Sequence, residues 1–144
     1  MVIGIFGESC TGKSTLAGML SEKLRCEVIS GKDYLRLAKN EAVARKLFQE
    51  KLDSAMEECD LIYVISEKEH LGFLPDGSLR VLVTAPLEVI KSRFAQRMKG
   101  NLPAPVALML EKKHGCFDME PWDIKVISGE SDPEAVCAQI LGRL

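Results

Sequence analysis

The sequence predicts an α/β fold in which a five-stranded parallel sheet is covered by helices on both faces. Three observations carry this reading. Five short apolar runs, VIGIF, EVIS, LIYVI, RVLVT and IKVI, alternate with longer stretches of helical period, and strands separated by helices imply parallel crossovers. Several runs are apolar at nearly every position rather than at alternate ones, as strands buried on both faces are. A glycine-bearing segment joins the first run to the first helix. At 144 residues the chain has the size of one domain, spanning 1–144, with enough core to fold without staples.

Each element has its own signal. Val2 to Phe6 ends at Gly7 and forms the first strand. Leu16, Leu20 and Leu24 then recur every fourth residue and lay one apolar stripe along a helix. Glu27 to Ser30 is a second strand, stopping before Gly31. Lys39 to Cys59 is the longest helical stretch, with Ala42, Leu47, Phe48, Leu52, Ala55 and Met56 inward and Glu and Lys outward. Leu61 to Ile65 is the third strand, and Arg80 to Thr84, after the turn Pro75-Asp76-Gly77, is the fourth. Leu87 to Met98 reads as a helix, ended by the breakers between Gly100 and Pro105, and Val106 to Lys113 as a short one. Ile124 to Ile127 is the fifth strand, with Trp122 just ahead of it read as packing on a core edge. Asp132-Pro133, a cap residue followed by proline, opens the last helix.

Composition narrows the classes of function. Apolar residues make up 47% and charged residues 28%, the balance of a soluble globular protein rather than a disordered chain. Nineteen basic residues face 21 acidic ones, a net −2, so no general basic field would hold nucleic acid. The five cysteines follow no metal-ligand spacing and read as reduced thiols. The N-terminal apolar run is too short for a signal peptide or a membrane span. The expectation is a cytoplasmic protein without a nucleic-acid or membrane partner.

Gly7-Glu8-Ser9-Cys10-Thr11-Gly12-Lys13-Ser14-Thr15 matches the pattern GxxxxGK[ST] without departure. Average residue usage produces that pattern about once in two hundred chains of this length. Here it also follows a predicted strand and opens a predicted helix, as its mechanism demands. Such a loop turns backbone N–H groups toward phosphate oxygens, and the helix adds the positive end of its dipole. Lys13 is expected at the β- and γ-phosphates and the Ser14 hydroxyl on Mg²⁺. ATP and Mg²⁺ are the expected ligands.

Beyond the loop the chain resembles the small P-loop kinases, the nucleoside monophosphate kinases and their shikimate kinase relatives. Val28-Ile29-Ser30-Gly31-Lys32-Asp33-Tyr34-Leu35-Arg36 is similar to the adenylate-type segment in which Ile-Ser-Thr-Gly-Asp leads into a helix bearing Leu-Arg. Gly31-Lys32 stands where Thr-Gly is usual. Arg80-Val81-Leu82-Val83-Thr84-Ala85-Pro86, followed by Arg93 and Arg97, is similar to the cytidylate-type strand, Ala-Pro and arginine-bearing helix. The resemblance implies the three-layer P-loop kinase fold, an acceptor-binding segment at about 31–60 and a short lid at about 93–118. It implies that Arg36 grips the acceptor and that Asp33 orients an acceptor hydroxyl. Arginines four apart share a helical face, so Arg93 and Arg97 can close on one site, neutralising charge on a transferring phosphoryl group.

The match thins at the lid. No arginine lies between Arg97 and Arg143, and Glu111-Lys112-Lys113-His114 occupies the place of further arginines. Lysine supplies charge without the bidentate fork, and a lone His114 beside Gly115 reads as a surface or hydrogen-bonded residue rather than a general base. Glu67, after the third strand, is the candidate acidic residue for the Mg²⁺ shell, or part of a solvated Glu-Lys-Glu run. Ser128-Gly129-Glu130-Ser131 stands where these kinases contact adenine through backbone. The resemblance implies an ATP-dependent phosphotransferase acting on a small acceptor, first of all a nucleoside monophosphate. The alternatives are a shikimate- or gluconate-type kinase using Asp33 at an acceptor hydroxyl, and a nucleotide-binding module without catalysis.

Overall fold

The computed structural model describes residues 1–144. Five strands, β1 (Val2–Phe6), β2 (Glu27–Ser30), β3 (Leu61–Ile65), β4 (Leu79–Thr84) and β5 (Ile124–Ile127), form one sheet in the order β2-β3-β1-β4-β5. All four pairings are parallel, with Val2 beside Leu61 and Ile3 beside Leu79 at the centre. The five helices are α1 (Lys13–Leu24), α2 (Glu41–Glu58), α3 (Leu87–Arg97), α4 (Ala104–Lys113) and α5 (Pro133–Leu141). Short 3-10 turns cover Asp33–Leu37 and Lys68–Phe73, where the sequence reading placed no element. No helix is long and apolar enough to cross a membrane.

The pleat of β1 sorts its side chains between two cores. Ile3 and Ile5 face α1 and α5, burying Leu16, Leu20, Val136, Cys137 and Ile140. Val2 and Phe6 face α2 and the two 3-10 turns, with Phe48, Leu52, Tyr34, Phe73 and Leu74. Gly4 on this face leaves room for the Leu74 side chain, whose methyl would lie 2.6 Å from a Cβ there. A smaller cluster of Cys10, Ala85, Ile90 and Leu110 fastens α3 and α4 beside the loop after β1.

Two sequence expectations change in three dimensions. The buried stripe of α2 is Ala44, Phe48, Leu52 and Ala55, while Leu47 is 40% exposed and Ala42 is also on the outside. The helix begins at Glu41 because the Asn40 side chain accepts the Val43 N–H at 3.2 Å; this cap sets a rotation that period counting misses by one position. Trp122 is 46% exposed rather than packed. Asp123 exchanges two hydrogen bonds with the Arg80 backbone, both 2.8 Å, and so starts the β4–β5 pairing just past Trp122, which stays outside the sheet edge. All five cysteines are free thiols.

The aromatic cluster over β3 fixes the turn that follows β2. Tyr34 stacks on Phe48 with ring centroids 5.3 Å apart, and Phe48 meets Tyr63 and Phe73 edge-on at 4.9 Å. Replacing Phe48 by Ala opens a cavity and removes the platform of Tyr34, and a loss of about 3–5 kcal/mol is expected. Denaturant unfolding checks this; a loss below about 1 kcal/mol would show that the cluster re-collapses.

Candidate phosphate-loop site

The carboxyl ends of all five strands lie along one edge of the sheet, where open parallel sheets bind their ligands. The loop from Gly7 to Gly12 leaves the central strand there. Gly7 has φ +156°, and a Cβ on it would lie 2.1 Å from the Val83 carbonyl oxygen, so the loop enters hard against β4. Gly12 (φ +97°) and Cys10 (φ +64°) bend the backbone the other way. The N–H groups of Glu8 through Thr15 donate to no backbone carbonyl, and those of α1 among them carry the positive end of the helix dipole. Backbone donors left free around a glycine-lined turn fit the phosphates of a nucleotide.

Lys13 completes the cradle. Its side chain is 5% exposed, and its ammonium donates to the Glu8 carbonyl with no carboxylate within ion-pair distance. Burial lowers its pKa from the ordinary 10.5 to about 8. An enclosed ammonium held by one carbonyl suits an incoming anion. Ser14 lines the same small cavity of about 120 Å³ together with Lys13, Ser66 and Arg97, and a hydroxyl at that place fits the coordination shell of Mg²⁺.

A larger cavity of about 530 Å³ opens beside it, between α1, α3 and the turn after β5, lined by Thr15, Arg93, Arg97, Ser128, Gly129 and Pro133 among others. The two arginines are placed differently. Arg93 donates to the Cys10 carbonyl at 3.0 Å and to Ser128 Oγ at 2.9 Å, tying the loop to the turn after β5 along the wall of this cavity. Arg97, one helical turn on, borders both cavities, including the small one with Lys13 and Ser14. Ser128, Gly129 and Ser131 of the turn after β5 line the larger cavity.

The lid segment is a helix hairpin docked on the loop. Ile90 and Leu110 are buried between α3 and α4, and Lys91 pairs with Glu111 across them. At the end of α4, His114 Nδ1–H and the Gly115 N–H donate to the two oxygens of the Glu8 carboxylate, at 3.1 and 3.2 Å. His114 is thus a satisfied residue, as one of its two sequence readings had it, and its partner is the loop after β1. The 106 residues that separate it from Glu8 hide the pairing from any local pattern. Lys112 and Lys113 remain exposed.

Other candidates are not gathered here. Asp33 accepts the Ser30 N–H at 3.3 Å, and with Arg36 it lines a separate cavity of about 250 Å³ along β2, which shares no residue with the two loop cavities. Tyr63 Oη donates to the Gly31 carbonyl at 2.8 Å and pins that turn; burial, with smaller contributions from neighbouring acidic groups, pushes the Tyr63 hydroxyl well above its ordinary range. Glu67 is exposed and sits beside Glu69 and His70; its hydrogen bond with the Glu69 carboxyl lowers its pKa. The residue after β3 that reaches the loop cavity is Ser66. Ser66 carries no acidic signal, and so the sequence reading passed over it.

No protein-family model and no curated protein matches the chain. Solved structures do. The chain is similar to a shikimate kinase from Aquifex aeolicus, at 26% identity over 99% of this chain and 95% of that one, TM-score 0.52. It is similar to the shikimate kinase from Acinetobacter baumannii in complex with shikimate, at 16% identity over 99% and 91%, TM-score 0.66. A gluconokinase from Sinorhizobium meliloti matches at 14% identity over 98% and 89%, TM-score 0.61. These names fall on the shikimate and gluconate side of the resemblance rather than the nucleoside monophosphate side.

The buried Lys13 has a measurable signature. Between pH 8 and 10.5 the unfolded chain holds a proton on this residue that the native state lacks, so its contribution raises stability as pH rises through that window. In ligand-free protein, Lys13→Met should be the more stable form at pH 7.5, with the gap in thermal midpoint closing toward pH 9.5. A gap that stays constant over this range would contradict the assignment. Given the strand order, the parallel pairing, the phosphate loop and these neighbours, the chain has the P-loop kinase fold.

Proposed function

We propose that the protein is a small-molecule kinase that moves the γ-phosphoryl group of ATP to a hydroxyl of a small acceptor. The observation that carries this reading is the junction of the two loop cavities, where the free N–H groups, the buried Lys13 and Arg97 surround one place. The nucleoside occupies the larger cavity against Arg93 and the 128–131 turn. The β- and γ-phosphates lie in the loop. Ser14 would hold Mg²⁺, which when bound would offset the charge of the phosphates.

The chain's own groups then act mainly by position and charge. Lys13 and Arg97 stabilise the charge that spreads over the transferring group, and the docked lid keeps water from competing for it. Asp33 is the carboxylate of the turn after β2 and is assigned to orient the acceptor hydroxyl and take its proton. Arg36 is assigned to the acceptor's anionic group. Acceptor binding has to draw the 33–37 turn toward the loop and release Asp33 from the Ser30 N–H. Glu67 would leave Glu69 if it served the metal, and Ser14 is the ligand favoured here. The shikimate- and gluconate-kinase neighbours support a hydroxyl acceptor over a nucleoside monophosphate.

Labelled ATP with Mg²⁺ and a panel of hydroxy acids, sugar acids and nucleoside monophosphates tests the reading. Transfer to a hydroxylated acid is expected; transfer to nucleotides alone would return the assignment to the nucleoside monophosphate kinases. Nucleotide binding with no transfer to any acceptor would leave a binding module. Asp33→Asn should keep nucleotide affinity and lose about 10²–10⁴-fold in transfer. The arginines should separate kinetically. Arg97→Ala is expected to lower kcat about 10²–10³-fold, whereas Arg93→Ala should chiefly raise KM for the nucleotide. Equal effects of the two variants on kcat would remove the division of labour.

A further inference from the structure

We infer that Glu67, Glu69 and His70 form a second cation site, distinct from that of the nucleotide's Mg²⁺ and suited to a divalent transition metal such as Zn²⁺ or Co²⁺. The three residues bring two carboxylates and an imidazole together at the start of the 68–73 turn, their ligand atoms all within 4.8 Å of one another. A metal at about 2.1 Å from each needs the carboxylate and ring atoms somewhat closer than that. Both glutamates are exposed, so rotation of their side chains is enough to close the set.

The imidazole supplies an independent reason. His70 is 2% exposed and is enclosed by the rings of Tyr34, Tyr63 and Phe73. Its Nδ1 has no hydrogen-bond partner. Its Nε2 faces the Glu69 carboxylate at 3.8 Å, beyond hydrogen-bond reach. The ring is held in place by aromatic packing, its Nδ1 is buried without a partner, and its Nε2, with no hydrogen-bond acceptor of its own, is turned toward the Glu69 carboxylate. This is a ready arrangement for a metal ligand. The basic residue between the glutamates does not offset them, because Lys68 pairs with Glu120 at 3.3 Å.

The donor set selects the ion. Mg²⁺ prefers oxygen ligands and retains its waters, whereas one imidazole with two carboxylates suits Zn²⁺, Co²⁺ or Mn²⁺. A metal on Nε2 leaves Nδ1–H without the acceptor that usually orients a ligating histidine, an omission that costs about 10–100-fold in affinity. The site is therefore expected to bind at micromolar metal. Through the ring contact of His70 with Tyr34, 6.0 Å between centroids, an ion here also stiffens the 33–37 turn.

The test uses metal-free protein without nucleotide or acceptor, so its outcome is separate from that of the kinase reading. Co²⁺ is titrated by visible absorption and Zn²⁺ by calorimetry. One ion per chain is expected, unchanged in Lys13→Ala and weakened more than about tenfold in Glu67→Gln/Glu69→Gln. His70→Phe, which keeps an aromatic ring in the cluster, should lose the ion as well. If that variant fails to fold, the exposed double variant decides. Wild-type protein that takes up no ion, or a double variant that binds as tightly as wild type because the free thiols hold the metal, would overturn the proposal.

Discussion

A loop that keeps its backbone donors free for a ligand has to be held in shape by something other than those donors. This constraint organises the molecule around residues 7–13. From below, the Gly7 backbone meets the Val83 carbonyl so closely that no side chain fits. On one side Arg93 joins the Cys10 carbonyl to Ser128. On the other, the Glu8 carboxylate receives His114 and Gly115 from the end of α4. The loop is therefore braced by β4, α3, α4 and the turn after β5, and every brace spares the N–H groups that face the cavity.

The same bracing holds the α3–α4 segment in place without further arginines. Its helix hairpin packs through Ile90 and Leu110 and docks on Glu8, so its position is set by burial and two hydrogen bonds. On the proposed reading, charge at the phosphates would fall to Lys13 and Arg97, which line one cavity. Lys13 carries the cost of waiting there. Enclosure lowers its pKa to about 8, and a bound phosphate would restore the stability of the charged form.

Along β2 the structure is organised by aromatic packing. Tyr34, Phe48, Tyr63 and Phe73 pin the turn after β2, and Tyr63 Oη holds the Gly31 carbonyl. That turn carries Asp33 and Arg36 along β2, away from the phosphate loop. Much of this was legible beforehand: the β1, β2, β3 and β5 ranges, the phosphate loop and the arginine-bearing helix follow from apolar runs, glycines and spacing. What escaped was set by contacts distant in sequence. Ser66 reaches the loop cavity because β3 lies beside β1, and the exposure of Trp122 follows from the β4–β5 pairing beginning at Asp123.

The sequence alone determined that the chain is an α/β domain with a phosphate-binding loop, because strand burial, helical period and the GxxxxGK[ST] pattern are local properties. The order of the strands, the reach of Arg97 into both loop cavities while Arg93 lines only one, and the meeting of Glu8 with His114 were decided only by the tertiary structure. The same holds for the His70 ring, enclosed beside Glu67 and Glu69. The physical reason is common to all of them. Backbone preference and hydrophobic period act over a few residues, whereas a site is made of side chains that strand order and helix packing bring together from remote parts of the chain.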